Sequence, residues 1–277
     1  EKLKIIDKKI PKKYFDIIIG FKTIHYKTFT PLDKDHPPWA AIDAIIEAGR
    51  LADLPCMIHS EPRPPSDGFP ARSFREMILQ KLRPGDIHTH CHGFAYPTML
   101  GDTPPDKINP DVFKAKKRGV IFDVGHGAGS FTFRNAVPSI EQGFLPDSIS
   151  TDLYAANTCG SVFNMNNVMS KFICMGMSVE DIIRRTTVNP ARIIKRPELG
   201  TLSVGGIADI AVIELLEGDF GYYDSQGGKL TGNKRFQNLM TLSKGQLVYD
   251  LNGFNRINWR DIPQDRRYWK NSNEQKW

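Results

Sequence analysis

Cysteine is scarce, with Cys56, Cys91, Cys159 and Cys174 the only four in 277 residues. That is too few for a disulfide framework to organise a chain of this length. No apolar run approaches the roughly 18 residues a membrane-spanning helix requires. No glycine-rich phosphate loop follows the first strand-like run, where a doubly wound nucleotide-binding sheet usually places one. The excess of one sign of charge is small, +6, enough to aid solubility and attract anions weakly without demanding a nucleic-acid partner. Methionine is missing from position 1, where Glu1 stands. The expectation is a processed or fragmentary chain, whose location stays open between cytoplasm and, after removal of a signal, periplasm or exterior.

What is present is an ordinary globular composition, 40% hydrophobic, 25% charged and 10% aromatic, which excludes wholesale disorder, collagen and coiled coil. Five apolar runs recur, each ending in polar residues: 15–22, 55–59, 86–92, 119–127 and 147–152. The first of them holds Ile17-Ile18-Ile19-Gly20-Phe21 and reads as a buried strand. Lys22, His59, His90, Asp123 and Asp152 mark the five ends at intervals of 29 to 37 residues, close to the ~30 residues that one βα unit consumes. Helical spacing fills the gaps at Ala40–Leu51 and Ser73–Leu82. The pattern predicts an α/β fold with a parallel sheet. A TIM-type (β/α)8 barrel suits it best, because every strand then delivers its polar end to one rim. Five units do not close such a barrel, so about three strands, on the order of 100 residues, are expected upstream of Glu1.

Beyond Asp152 the pattern changes. Residues 178–194 predict a helix with Ser178 as N-cap and an apolar stripe of Val179, Ile182, Ile183 and Val188. Past Pro197, short strands at 208–213 and 245–249 with Gly227-Gly228 between them predict a small β appendage. The expected division is a partial barrel carrying the site at 1–197, a β-sandwich portion at 198–254 and a basic, aromatic tail at 255–277.

His88-Thr89-His90-Cys91-His92 is the sharpest local signal. On an extended strand its three imidazoles project to one side, as borderline ligands suited to zinc. His59 ends a run that is otherwise apolar, where a single histidine is more often a core residue, but it shares the predicted rim with that cluster. Asp152 is placed to bind a metal and move a proton, with an N-cap role as its plainer alternative. Asp123 and His126, beside Gly125 and Gly127, read as substrate-contacting or supporting groups, and Tyr154 is grouped with them. Lys22 closes its strand where an amine is available for covalent chemistry or simply reaches solvent. The lysines at 2, 4, 8, 9, 12, 13, 27 and 34 read as solvated charge.

The order Lys22, His59, His90, Asp152 on successive strands resembles the amidohydrolase superfamily. So do Thr187-Val188-Asn189-Pro190-Ala191, Gly200-Thr201-Leu202 and Gly205-Gly206-Ile207-Ala208-Asp209, which look like that family's run from last barrel helix to β-sandwich. The runs 85–91, 119–127 and 148–152 are similar to its dihydroorotase-like deacetylase branch, which includes D-aminoacylase and acetyl-mandelate esterase relatives. The resemblance covers roughly residues 15–253. It implies a binuclear zinc site bridged by a carboxylated Lys22, with His59 and His90 on one metal and Asp152 on the other, also serving as general base. It implies cleavage of an amide or ester of a small N-acyl or O-acyl substrate by metal-activated hydroxide. His88 and His92 match no residue of the family's ligand set and are read as substrate contacts. The family's first-strand His-x-His is absent before Lys22, so the sequence itself completes at most half of such a site.

Three rival readings follow. A cyclic-amide hydrolase or lactonase uses the same metals with different pocket loops. A non-catalytic metal-binding remnant explains the missing pair of histidines. Nucleic-acid binding through residues 255–277, which carry six Lys/Arg against three Asp/Glu, comes third. Homo-oligomerisation is left open.

Overall fold

Short β-rich runs, each followed by an amphipathic stretch, set the architecture. The computed structural model describes residues 17–23, 40–59, 79–93, 107–155 and 157–262. A parallel sheet has the order β1 (Phe21–Thr23), β2 (Cys56–Ile58), β3 (Ile87–His88), β4 (Ile121–Phe122). Its registers pair Lys22 with Met57, Ile58 with His88 and His88 with Phe122. A further parallel bridge from Asp123 to Ser148 carries the same order onto the segment that ends at Asp152. Sequential neighbours throughout, all parallel, give the strand order of an α/β barrel wall.

Helices cover one face of this wall. In α1 (Ala40–Ala52) the buried residues Ile42, Ile45, Ala48 and Gly49 lie at helical spacing. The helix α2 (Pro110–Arg118) begins where the Asn109 side chain accepts from the Asp111 amide and ends on Gly119 at φ 100°, a left-handed stop that suits glycine. They close over Ile58, Val112, Val120, Phe122 and Phe144. A second core forms where α3 (Phe133–Glu141) and α4 (Met165–Cys174) meet an antiparallel sheet of β5 (Ile210–Tyr223), β6 (Lys229–Ser243) and β7 (Gln246–Asp250). Phe131, Val168, Phe172, Tyr222 and Phe236 join across that junction.

Four expectations change. The triple-isoleucine run is not a buried strand: only Phe21–Thr23 is strand, with Ile17 and Ile19 exposed, because β1 lies at the margin of the described sheet with β2 on one side. Residues 86–92 do not form one extended strand, since β3 stops at His88 and His90 turns to φ 61°. The helix expected at 178–194 is two, α5 (Val179–Thr186) and α6 (Val188–Ile193), broken at Thr187 with φ −132° and ψ −82°. Its N-cap is as expected, with Ser178 Oγ accepting from the Asp181 amide at 3.1 Å. Finally, the appendage holds one long hairpin: β5 and β6 run 14 and 15 residues about the Gly227-Gly228 turn.

Of the expected helix at Ser73–Leu82, residues 73–78 lie outside the described residues, as do the lysines at 2–13, 27 and 34 and residues 263–277 of the tail. Among the described residues no helix is long and apolar enough to cross a membrane.

Candidate metal centre

Parallel register fixes which side chains can meet. Lys22 is the middle residue of β1, level with Met57, and so does not close its strand as expected. His59 and His90 stand just past the carboxyl ends of β2 and β3, and Asp152 follows the Asp123–Ser148 bridge. Rungs from the His59 amide to Thr23 O at 3.3 Å and from the Thr89 amide to Ile58 O at 3.2 Å tie the wall. The His59 and His90 rings come to 4.0 Å between centroids, edge to face. His90 is buried, and its Nδ1 lies 2.5 Å from Gly125 O. A carbonyl only accepts, so Nδ1 carries the proton and Nε2 keeps its lone pair. Burial holds the His90 pKa below the usual imidazole value; the Gly125 carbonyl and the Asp152 carboxylate pull it up, and the Lys22 charge pushes it down. Lys22 and Asp152, both exposed, therefore act on the same imidazole with opposite sign. A neutral ring with one nitrogen pinned by a carbonyl is the form in which histidine binds metal.

Two of the four residues sit in strained backbone. His90 has φ 61° and Asp152 φ 46°, the left-handed region that costs a non-glycine residue about 1 to 2 kcal/mol. Such outliers persist where the surroundings hold them, commonly at functional sites. Here the surroundings are the turn at 125–127. Gly125 has φ 46°, and a Cβ built on it would lie 2.7 Å from His90 Nδ1. On Gly127, at φ 53°, it would lie 2.8 Å from Asp152 Oδ2. Both glycines are therefore required by close approach as well as by φ.

Asp123 supports this turn from below. Its buried carboxylate accepts from Thr89 Oγ1 at 2.7 Å, Ser148 Oγ at 2.6 Å and Ser150 Oγ at 2.9 Å, while Ser150 Oγ accepts from the Gly125 amide at 3.0 Å. The arrangement links Asp123, Ser150, Gly125 and His90 in sequence, with both Asp123 oxygens already engaged.

The three imidazoles of the HTHCH run diverge, contrary to the common projection expected of them. Positive φ at His90 breaks the alternation on which that expectation rests. His88 lies in the core with its ring 5.7 Å from Phe122. His92 is fully buried beside Phe131 and Phe172. Burial pushes both down to about 3. His126 is buried and stacked on Phe131 at 4.5 Å, and Tyr154 is exposed, its amide donating to Asn157 Oδ1 at 2.8 Å. A cavity of about 960 Å³ lies elsewhere, between α4–α6 and the antiparallel sheet, and holds none of the predicted residues.

Among the described residues no three His, Cys, Asp or Glu side chains form a group that could hold a metal ion unaided. The paired imidazoles, with a lysine and a carboxylate coupled to one of them, fit part of a centre. Sequence reasoning missed the Thr89, Ser148 and Ser150 hydroxyls and Lys171; the last had a signal, a lone cation inside the apolar stretch 168–173.

Comparison with known proteins gives the family likeness of the chain. The Amidohydrolase family matches residues 128–250. A deacetylase of Brucella anthropi is 34% identical over 193 residues, 68% of this chain and 44% of the relative. A deacetylase of Enterococcus faecalis is 31% identical over 199 residues, 72% of this chain and 51% of the relative. Among solved structures, an adenine deaminase superposes with a TM-score of 0.74 at 26% identity, covering 86% of this chain and 61% of that one. A dihydroorotase gives 0.64 at 27%, covering 76% and 54%. The chain spans about half the length of the curated relatives it matches.

Proposed function

This chain belongs to the amidohydrolase superfamily, and from that premise we propose that it carries part of the active site of a zinc-dependent deacetylase, cleaving the acyl bond of a small N-acyl or O-acyl substrate. The observation that carries the reading is the His59–His90 pair at adjacent strand ends, with Lys22 and Asp152 both acting on His90. The deacetylase names of the two relatives support the choice of bond. Imidazole and oxygen donors without thiolate suit zinc among the borderline cations.

In this reading His59 and His90 would hold one cation, and Lys22, carboxylated, together with Asp152 would supply oxygen ligands for a second. When bound, the cations supply Lewis acidity that activates water at neutral pH and polarises the scissile carbonyl. The residues themselves divide the remaining work. Gly125 O fixes the His90 tautomer and leaves the Nε2 lone pair for a cation. Asp152, exposed and held at its angle by contact with Gly127, takes the proton of the attacking water and delivers it to the departing amine or alkoxide. The site belongs to the region 1–197, with 198–254 as a β-sandwich portion packed beside it.

A second reading, hydrolysis of a cyclic amide or lactone, is favoured by the likeness to a structure named dihydroorotase. Incubating the zinc-loaded protein with acetylated amides, acetylated esters, lactones and cyclic amides separates them. Release of acetate, reduced by two or more orders of magnitude in kcat by Asp152→Asn, is the expected result. Unchanged turnover in that variant would remove the proposed base, and ring opening without acetate release would favour the second reading.

A further inference from the structure

Lys171 lies on α4 with none of its surface exposed, in a core otherwise built from Val124, Phe131, Val168 and Phe172. No step proposed above uses it. Its ammonium carries three hydrogens, and three acceptors surround it: His126 Nε2 at 2.7 Å, Ser161 O at 2.5 Å and Tyr223 O at 2.9 Å. The Phe131 ring lies 5.7 Å away. The Asp224 carboxylate, which favours the charge, is itself engaged by the amides of Phe133, Gln226 and Gly228. Lysine is almost never buried unless paired, so such a placement calls for a reason beyond packing.

The His126 ring supplies one. Its Nδ1 lies 2.9 Å from Gly127 O, and a carbonyl cannot donate, so that nitrogen carries the proton. Nε2 is then an acceptor, matched to an ammonium donor. Burial pushes His126 down to about 3 and Lys171 down to about 7, so the shared proton rests on the lysine. On either side of His126 in the chain, the same turn presents Gly125 O to His90 Nδ1 at 2.5 Å and brings Gly127 close to Asp152.

We propose that Lys171 is a positioning residue for the metal-binding rim, acting through His126 to hold the Gly125–Gly127 turn against His90 and Asp152. Its Tyr223 contact anchors the rim to the end of β5, so the hairpin braces the site. The inference rests on the reading above only in naming His90 and Asp152 as the residues positioned.

Nitrogen-15 NMR of histidine-labelled protein, paired with a cobalt(II) titration followed by its visible spectrum, tests it. In the unaltered chain His126 is expected neutral with its proton on Nδ1. In Lys171→Met, which preserves length and removes the donors, that signature shifts toward the Nε2–H form, the His90 signals move, and cobalt affinity falls roughly 10- to 100-fold, the range for partners that orient metal ligands. Ile182→Ala, a core truncation with no Lys171 contact of this kind, is expected to lower stability and keep both the His126 signature and the affinity.

A His126 that is protonated on both nitrogens, or on Nε2 alone, in the unaltered chain would overturn the proposal, and this outcome needs no variant to fold. Unchanged His90 signals and affinity in a folded Lys171→Met would overturn it too, as would an equal loss of affinity in Ile182→Ala. Failure of the unaltered chain to bind cobalt would overturn the metal reading of the rim, and the Lys171 link would then be decided by the His126 and His90 signals alone.

Discussion

At Gly125 a single hydrogen atom decides the geometry of the rim. Its φ of 46° already disfavours any side chain, and a Cβ there would collide with the Thr89 hydroxyl and His90. Gly125→Ala is therefore expected to tilt the His90 ring off its carbonyl and weaken zinc binding about 10-fold or more, with the far-ultraviolet circular dichroism unchanged. Competition against a chromophoric chelator measures it, and wild-type affinity would show that the turn does not hold the ligand. At this scale the sequence was partly readable. His59, His90 and Asp152 announced themselves as polar residues closing apolar runs, and two glycines flanking His126 implied a close approach. The left-handed backbone at His90 could not be read, because it depends on Gly125 and Ser150 folding back from later strands. Without it, alternation assigned His88 and His92 to the rim, whereas both rings pack into apolar surroundings.

Elements were legible where a local cause is sufficient. The Ser178 cap of α5 is local, as is the helical spacing that marks α1. The break at Thr187 and the length of β5 and β6 are not. Glu214, Glu217 and Asp219 interrupt the alternation in β5, whose pairing slips at a bulge between Glu217 and Phe220, so period-two patterning fails there. The hairpin is fastened to α4 by contact. Phe236 N donates to Ser170 Oγ at 2.9 Å, and Gly232 lies so close to Cys174 that a Cβ would overlap its sulfur. Gly232→Val is expected to cost about 1 to 3 kcal/mol, the usual penalty for overfilling a packed contact. Urea denaturation measures it, and Cys174→Ala in the same chain is expected to restore part of the loss, since neighbours couple. Full additivity of the two would place the strain elsewhere.

Across the whole molecule, the buried imidazoles make stability depend on acid. His88, His92 and His126 are each pushed down to about 3 by burial, from 6.5 when exposed. Between those values the unfolded chain binds protons that the folded chain refuses, so their stabilising contribution is complete above pH 6.5 and is lost as pH falls toward 3. Lys171, pushed from 10.5 to about 7, gives the same sign in a higher window, with stability rising as pH passes above 7. The urea midpoint of the metal-free protein is expected to fall steeply below pH 6.5, with up to three protons taken up on unfolding, and His92→Phe is expected to flatten the slope. A midpoint indifferent to pH between 4 and 6.5 would contradict the burial of these rings. The α/β class and parallel order were readable at this scale, because each unit repeats the same apolar-run-and-helix pattern. The junction between α4 and the hairpin was not, because its contacts join residues 66 apart, such as Ser170 and Phe236.

In the proposed centre His59 and His90 share one cation at the carboxyl rim of the parallel sheet. X-ray absorption spectroscopy of the zinc-loaded chain reads that ligation. A nitrogen shell at about 2.0 to 2.1 Å that contains two imidazoles and no sulfur scatterer, reduced to one imidazole in His90→Ala, is the predicted result. A sulfur shell at about 2.3 Å, or an imidazole signal that survives His90→Ala undiminished, would contradict it.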